Sequence, residues 1–215
     1  TVLTDLLYSA KKIAEGVKSI SPKTRIALGG PHINIYPHET ISFPEVDFCL
    51  QHFAEHSLSM LLRAIENNSG YNDVPGLFYK KNGIIYKSNR DVDKKIDLDA
   101  LKMPDRRLLD YSKYFVVIDK NEWITTALSS RGCPYQCTFC DVFQKEYLYR
   151  SPENLIEEVK DIVKLGISFV HFFDDNFNLL KDRVVRFCEL LLEKNIKIRW
   201  AFRGRVISID NKMAK

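Results

Sequence analysis

Three cysteines, Cys133, Cys137 and Cys140, fall within eight consecutive positions, and this cluster limits how the chain can fold more than any other feature. They are separated by three and then two residues, so one loop can turn all three thiols toward a single inorganic centre. Soft thiolate ligands select iron–sulfur clusters, zinc or copper(I). The sequence therefore predicts a metal-binding loop. Two simpler alternatives are a zinc site completed by a distant fourth ligand, and three free cysteines that lie near one another by chance.

The number of cysteines in the loop is itself informative. A cluster that only carries electrons normally has four cysteine ligands, whereas three leave one iron open, as catalytic metals keep a position open for a substrate. Cys49 lies in an apolar strand and Cys188 on the apolar stripe of a helix, where cysteine is usually a small buried hydrophobic residue rather than a ligand. The count of three therefore predicts an enzyme.

The composition sets broader limits. The chain has 215 residues, of which 45% are hydrophobic and 28% are charged, which is typical of a globular protein and excludes a disordered or fibrous one. A formal net charge of +4 does not indicate nucleic-acid binding without a clustered basic patch. The sequence has neither an apolar run long enough for a membrane span nor a secretory signal, so we expect a cytoplasmic location. Because the first residue is Thr1, we expect both ends to be cut from a longer protein.

The spacing of apolar residues divides the chain into three parts. In residues 1–66 helices alternate with short strands, which predicts a partial Rossmann-like domain with a parallel sheet. Residues 67–114 contain Asn82-Gly83, a strong signal for a tight hairpin, followed by a charge-rich stretch that we interpret as a linker. Residues 115–215 return to strands that alternate with helices.

This third part begins with predicted strands over 115–118 and 123–128, and the second of them runs directly into the cysteines. A helix then starts at Ser151-Pro152, where the serine is an N-cap and proline takes the first helical position. Further strands are predicted over 167–173 and 196–202, with a helix between them. Strand–helix units of this length build doubly wound sheets or (β/α) barrels, so the predicted fold class is α/β.

The residues around the cysteines resemble the cluster loop of the radical S-adenosylmethionine (radical SAM) enzymes. The likeness rests on Ser129-Ser130-Arg131-Gly132-Cys133-Pro134, on the Cx3Cx2C spacing and on Phe139 just before the last cysteine. It implies a [4Fe-4S] cluster held by Cys133, Cys137 and Cys140, with the fourth iron chelated by the amine and carboxylate of S-adenosylmethionine. One-electron transfer then splits this cofactor into methionine and a 5′-deoxyadenosyl radical, which the protein orients and shields. The implied fold of residues 115–215 is the N-terminal part of a radical SAM (β/α) barrel.

The resemblance also implies roles for residues beyond the loop. Asp174 and Asp175 follow a strand at the active end of the expected barrel, and one of them would accept a hydrogen bond from the ammonium group of the cofactor. The alternative is that they cap the next helix. Arg203 and Arg205, after the third strand, would face a carboxylate at the same end, although exposed arginines are usually only solvated. Tyr135 and Phe139 would stack near the adenine, and the alternative is that these aromatic residues only pack the loop.

Residues 1–66 resemble the second half of the cobalamin-binding domain found ahead of many radical SAM barrels. The likeness rests on Gly29-Gly30-Pro31-His32 at a strand end, where glycines let a ligand approach the backbone closely, and it implies cofactor binding by Gly29 and Gly30. The chain departs from that family at His52-Phe53-Ala54-Glu55, where a Gly-Glu-Gly-Glu turn is usual. The Asp-x-His-x-x-Gly loop that can supply a histidine to cobalt is not in the sequence. We therefore expect weak cobalamin binding or none.

The resemblance predicts a radical SAM enzyme that cleaves S-adenosylmethionine reductively and starts methyl transfer, cyclisation or rearrangement on an unknown small-molecule substrate. The implied partner is a one-electron donor such as flavodoxin or ferredoxin. Two alternatives stay open: a zinc-stabilised α/β binding module without catalysis, and a radical SAM methylthiotransferase acting on RNA. The second is disfavoured because the sequence shows no clear basic patch for RNA.

Overall fold

The structure, a computed structural model, describes residues 1–91, 96–117, 119–140, 142, 144–211 and 213. The chain divides into two compact units, Thr1–Lys94 and Lys95–Lys215. Each unit has its own sheet and its own hydrophobic core. Among the described residues, no helix combines the length and the apolar character that a membrane crossing requires.

The first unit is an α/β layer with one mixed sheet. Its sheet order is β1-β2-β3-β4, in which β1 and β2 are parallel and the β3–β4 pair is an antiparallel hairpin. The hairpin turns at Asn82 and Gly83, whose φ values of 52° and 78° are those of a type I′ turn. In chain order the elements are α1 (Leu7–Ile20), β1 (Ala27–Gly29), α2 (Pro31–Ile35), α3 (Pro37–Ser42), β2 (Phe48–Leu50), α4 (Glu55–Glu66), β3 (Leu77–Lys81) and β4 (Ile84–Lys87).

The hairpin shares a sheet with β1 and β2, whereas the sequence analysis placed it in a separate segment, residues 67–114. β2 is buried along its whole length, so its backbone needs hydrogen-bonding partners on both sides. β1 supplies one side and β3 the other, with Cys49 opposite Phe78. A turn signal predicts which two strands form a hairpin but not which sheet edge they join.

The second unit consists of βα units built on parallel strands. Its main sheet has the order β10-β9-β6-β5, in which β6, β9 and β10 are parallel. The predicted N-cap is present, because the Ser151 hydroxyl accepts a hydrogen bond from the N–H of Asn154 at 3.1 Å. The elements are β5 (Phe115–Val116), β6 (Asp119–Ala127), β7 (Ser130–Arg131), β8 (Leu148–Tyr149), α5 (Pro152–Lys164), β9 (Phe169–Phe172), α6 (Lys181–Glu193) and β10 (Arg199–Phe202).

The three parallel strands present two different faces, because successive side chains of a strand point to opposite sides. One face packs against α5 and α6, and the shared core includes Val170, Phe172 and Phe187. The opposite face carries Thr126 and His171 in one row of the register, and neither is fully buried. The carboxyl ends of β6, β9 and β10 meet at one edge of the sheet, where the cysteine loop and the two aspartates follow.

Candidate metal centre at the carboxyl edge of the second sheet

The cysteines lie on a loop that leaves the carboxyl end of β6. β7 pairs antiparallel with β8, so residues 132–147 connect two paired strands. Two further backbone hydrogen bonds join Cys133 N–H to Gln144 O at 3.0 Å and Arg150 N–H to Ser129 O at 2.9 Å. The paired strands therefore hold both ends of the loop at the sheet edge.

The base of the loop is bonded to Asp174, which follows β9. Oδ1 of Asp174 accepts the Ser129 N–H at 2.7 Å, and Oδ2 accepts the hydroxyls of Ser129 and Ser130, both at 2.5 Å. The Asp174 side chain is fully buried, and the residue that caps α6 is Leu180. Asp174 therefore holds the loop and does not cap α6, and its predicted contact with the cofactor stays a prediction.

Asp175 is the carboxylate that stays open to solvent. Its Oδ2 accepts the N–H of Gly132 at 2.9 Å, immediately before the first cysteine. Gly132 has a φ of 83°, and a Cβ at this position would lie 2.2 Å from the carbonyl oxygen of Glu146. Only glycine fits there. Asp175 thus contacts the cysteine loop while remaining accessible, and its predicted role in cofactor binding stays a prediction.

The three loop cysteines are free thiols in the described part of the chain, with Cys133 half-buried and Cys137 and Cys140 exposed. The N–H of Cys140 donates to Cys137 O at 3.1 Å. Among the described residues, no three histidine, cysteine or carboxylate side chains are grouped so that they could hold a metal ion. Convergence of the thiols therefore stays a prediction. Metal binding is coupled to the folding of the binding site, so the thiols can come together when the metal binds. The residues suit an iron–sulfur cluster because three accessible soft thiols lie on one anchored loop.

The other two cysteines are packed in the cores. Cys49 is fully buried in β2, and loss of hydration raises the pKa of its thiol to about 12. Cys188 packs against the core of the second unit, where burial likewise raises its pKa. A metal ligand must be a thiolate, so neither environment favours metal binding, in line with the sequence analysis.

The arginines predicted to face a ligand lie against aromatic rings. The guanidinium carbon of Arg203 is 3.6 Å from the ring centre of Phe173, and that of Arg205 is 3.9 Å from the ring centre of Tyr135 in the cysteine loop. Such stacking orients a guanidinium and leaves its N–H groups free to donate sideways. Phe139 is 91% exposed. The predicted contacts of Arg203 and Phe139 with the cofactor stay predictions.

Arg183 of α6 is a second anchor of the loop, which the sequence analysis missed. Its Nε donates to Arg150 O and its Nη2 donates to Ser129 O, both at 2.9 Å. Burial lowers the pKa of this guanidinium. The sequence feature that could have marked Arg183 is its place on the apolar face of the helix, one turn before Phe187, where a basic residue is unusual.

Asn176 is a further residue that no motif marked. Its side chain is 1% exposed, and within the described residues neither Nδ2 nor Oδ1 has a hydrogen-bond partner. The hydroxyl of Tyr147 donates to the carbonyl oxygen of Asn176 at 3.1 Å, and burial raises the pKa of this tyrosine. An unpaired buried amide is costly, so Asn176, next to Asp175, is a candidate contact for a ligand.

A buried ion cluster ties the segment before β5 to the sheet. Glu158 of α5 accepts a hydrogen bond from Arg106 Nη2 at 2.5 Å and a second one from Arg150 Nη1. Arg106 also donates to the carbonyl oxygen of Thr126 at 2.9 Å. All three charged side chains are buried. The end of the segment interpreted as a linker is therefore anchored in the second unit.

In the first unit, the backbone beside Gly29 and Gly30 contacts the N-terminal residues. Val2 N–H donates to Gly29 O at 2.7 Å, and His32 N–H donates to Val2 O at 3.1 Å. A Cβ on Gly30, whose φ is 123°, would lie 2.5 Å from Val2 N. The glycines thus permit a close approach, but the group that approaches is Val2. Cofactor binding by Gly29 and Gly30 stays a prediction.

The turn that lacks the usual glycines keeps a glycine-like conformation at its first position. His52 has a φ of 58°, and its N–H donates to Asn34 Oδ1 at 2.6 Å. A left-handed conformation costs a residue with a Cβ about 1–2 kcal/mol. Ala54 has a φ of −97°, which any residue adopts. The residue that replaces glycine at position 52 therefore adopts a strained backbone conformation, whereas the one at position 54 does not.

Comparison with known proteins identifies relatives of this chain. Residues 128–215 match the Radical SAM superfamily. The sequence is 28% identical over its whole length to an uncharacterized methyltransferase of Pyrococcus horikoshii. It is 26% identical over 97% of its length to the anaerobic magnesium-protoporphyrin IX monomethyl ester cyclase of Rubrivivax gelatinosus. The chain covers 47% and 39% of these two proteins, so it spans less than half of their length.

Solved structures share the fold. The radical S-adenosylmethionine methyltransferase TsrM of Kitasatospora setae matches 97% of this chain with a TM-score of 0.74 at 16% identity. The cobalamin-dependent S-adenosylmethionine radical enzyme OxsB matches 97% of the chain with a TM-score of 0.72 at 20% identity. The chain covers 42% and 30% of these structures. The predicted fold class and the resemblance are confirmed: residues 128–215 match the radical SAM superfamily, and the chain has the fold of the cobalamin-dependent radical SAM enzymes.

Proposed function

We propose that this chain is the cluster-binding part of a radical SAM enzyme that binds S-adenosylmethionine and starts radical chemistry on a small molecule. The observation that carries the proposal is the position of the cysteine loop. Its base is bonded to the buried Asp174, and its first turn is bonded to the exposed Asp175. Three accessible thiols and an accessible carboxylate therefore share one edge of the sheet.

Cys133, Cys137 and Cys140 would hold the [4Fe-4S] cluster and leave one iron for the amine and carboxylate of S-adenosylmethionine. When bound, the cluster supplies the single electron that cleaves the sulfonium of this cofactor. All three cysteines fall within the residues that match the superfamily, and all three are free thiols.

The surrounding residues position and shield the two cofactors. Asp174 and Ser129 fix the loop against β9, while Asp175 accepts the cofactor ammonium group. A carboxylate has about four acceptor sites, so Asp175 can make this bond and keep the one from the Gly132 N–H. Arg203 binds a carboxylate at the same edge, and Phe139 covers the adenine.

Methyl transfer or cyclisation is the reaction class that the relatives support best, because those named above are a methyltransferase and a cyclase. The proposed division has three parts: residues 1–66, the cobalamin-binding-like domain; 67–114, whose hairpin completes the sheet of that domain and whose remainder is a linker; and 115–215, part of the barrel. Val2 lies against the glycine pair, which supports weak cobalamin binding by this chain. The protein works in the cytoplasm with a donor such as flavodoxin or ferredoxin.

Electron paramagnetic resonance of the reduced, anaerobically reconstituted chain tests this function. Added S-adenosylmethionine should change the spectrum, because it binds the open iron. Asp175→Asn should raise the cofactor concentration needed for half of this change about tenfold, equivalent to roughly 1.4 kcal/mol, with the iron content intact. The control Asp161→Asn, on the exposed face of α5, should not. A spectrum that does not respond to S-adenosylmethionine would contradict the proposal.

A further inference from the structure

The side chain of Asn178 binds both backbone polar groups of Arg205. Asn178 Nδ2 donates to Arg205 O at 2.9 Å, and Arg205 N–H donates to Asn178 Oδ1 at 3.0 Å. Asn178 is 1% exposed, whereas Arg205 is half-buried. This buried amide therefore fixes the backbone of Arg205 in the segment that follows β10.

Neighbouring residues strengthen the same connection. The N–H of Phe177 donates to the carbonyl oxygen of Arg203 at 3.0 Å. Between the two arginines, a Cβ on Gly204 would lie 2.2 Å from Asn178 Oδ1. The hydrogen bonds through Asn178 thus require a residue without a side chain at position 204. The segment after β10 is held firmly against the segment after β9.

The side chain of Arg205 reaches from this fixed backbone to the cysteine loop. Its guanidinium carbon is 3.9 Å from the ring centre of Tyr135, which stands two residues after Cys133 and two before Cys137. Arginine stays protonated at every pH at which proteins are folded. A permanent positive charge is therefore stacked on the middle of the loop.

We propose that Arg205 is a positioning residue for the cysteine loop and that its charge raises the reduction potential of the iron–sulfur centre bound there. The proposal rests on the proposed function. Cluster potentials depend on net charge, and a one-electron reduction adds one negative charge to a centre with thiolate ligands. A fixed cation nearby stabilises the reduced form more than the oxidised form. The electron comes from an external donor.

A redox titration of the reconstituted chain with dithionite, followed by electron paramagnetic resonance, tests this charge effect. Arg205→Gln removes the charge and keeps a polar side chain, so we expect a reduction potential shifted to more negative values at unchanged iron content. Arg199→Gln is the matched control, since Arg199 lies at the other end of β10 over the ring of Phe169. Its potential should equal that of the wild type.

Two more variants separate position from charge. Arg205→Lys keeps the charge but loses the planar stack on Tyr135, so a smaller negative shift is expected. Asn178→Ala removes the clamp and leaves Arg205 in place, and should also shift the potential in the negative direction. Because Asn178 acts through Arg205, the double variant should shift no further than Arg205→Gln alone.

Equal potentials for the Arg205→Gln and Arg199→Gln proteins would overturn the proposal. If Arg205→Gln does not assemble a cluster, Asn178→Ala decides: a negative shift supports the proposal, and the wild-type potential overturns it. Wild-type protein that binds no iron would overturn the proposed function and this proposal together. A wild-type cluster whose potential ignores Arg205 would overturn this proposal alone.

Discussion

Asp174 accepts both the backbone N–H and the hydroxyl of Ser129, at 2.7 and 2.5 Å, so one buried carboxylate fixes the residue from which the cysteine loop departs. The carbonyl oxygen of Ser129 accepts hydrogen bonds from Arg150 N–H and Arg183 Nη2. Every polar atom of Ser129 is thus bonded within the protein. The sheet and its helices therefore set the position of the loop base.

Asp174→Asn is expected to loosen this base. Asparagine offers one acceptor oxygen instead of two and turns an NH₂ donor toward the hydroxyls of Ser129 and Ser130. Loss of a buried hydrogen-bond acceptor costs about 1–3 kcal/mol, which guanidinium chloride unfolding of the chain would measure. The matched control is Asp175→Asn, because that carboxylate is exposed and should contribute much less to the free energy of unfolding. Equal losses from both variants would show that Asp174 is not the anchor.

Glu158→Gln should destabilise the second unit strongly. The substitution leaves the buried guanidinium groups of Arg106 and Arg150 without their carboxylate, and breaking such a buried pair costs about 3–5 kcal/mol. Glu157→Gln is the control on the same helix, where the exposed carboxylate pairs with the flexible end of Lys160 at 2.7 Å, so no measurable change is expected. Chemical denaturation compares the two variants, and a stable Glu158→Gln protein would show that the ion cluster is dispensable.

Gly132→Ala tests the turn before the first cysteine. The new methyl group would collide with the carbonyl oxygen of Glu146, and φ at this position is 83°. We expect a loss on the order of 1–3 kcal/mol and a smaller iron content after reconstitution. In helix α1, by contrast, Gly16→Ala meets nothing within 4 Å and should stabilise the chain by about 0.5–1 kcal/mol. A fully loaded, stable Gly132→Ala protein would contradict the tight turn.

His52→Gly should stabilise the first unit. Glycine removes the cost of the left-handed conformation at this position, which is about 1–2 kcal/mol. The substitution also removes the contacts of the imidazole, so the gain in the free energy of unfolding is smaller than this cost. Ala54→Gly is the control in the same turn, because its φ of −97° gives glycine no advantage, and it should be neutral or slightly destabilising. Thermal unfolding measures both, and a gain from Ala54→Gly without one from His52→Gly would refute this account of the turn.

The periods of apolar residues are enough to predict the βα units of the second half, since helices and parallel strands differ in period. Local turn chemistry likewise predicts the hairpin at Asn82-Gly83. The sheet edge that the hairpin joins is set by backbone groups of β2 that need a hydrogen-bonding partner. A local sequence pattern does not show this pairing, because the two strands are far apart in the chain. The sequence therefore predicts elements and fold class better than it predicts segment boundaries.

The metal-binding prediction depends on residue type and spacing, and both are visible in the sequence for Cys133, Cys137 and Cys140. The anchors of the loop are not visible in this way. Asp174 and Arg183 bond to Ser129 across 45 and 54 positions of the chain, and Arg183 bonds to backbone carbonyl groups, which every residue has. When a side chain binds a backbone group, the partner can be any residue type, so the sequence contains no characteristic pair to detect.

Iron, sulfide and zinc analysis of the chain after anaerobic reconstitution tests the central claim most directly. The account predicts about four irons and four sulfides per chain with a brown absorption spectrum. Cys137→Ala should lose this cluster, whereas Cys188→Ala should keep it, because Cys188 packs against the core. A colourless protein that carries zinc and no iron, or equal loss of iron from both variants, would contradict it.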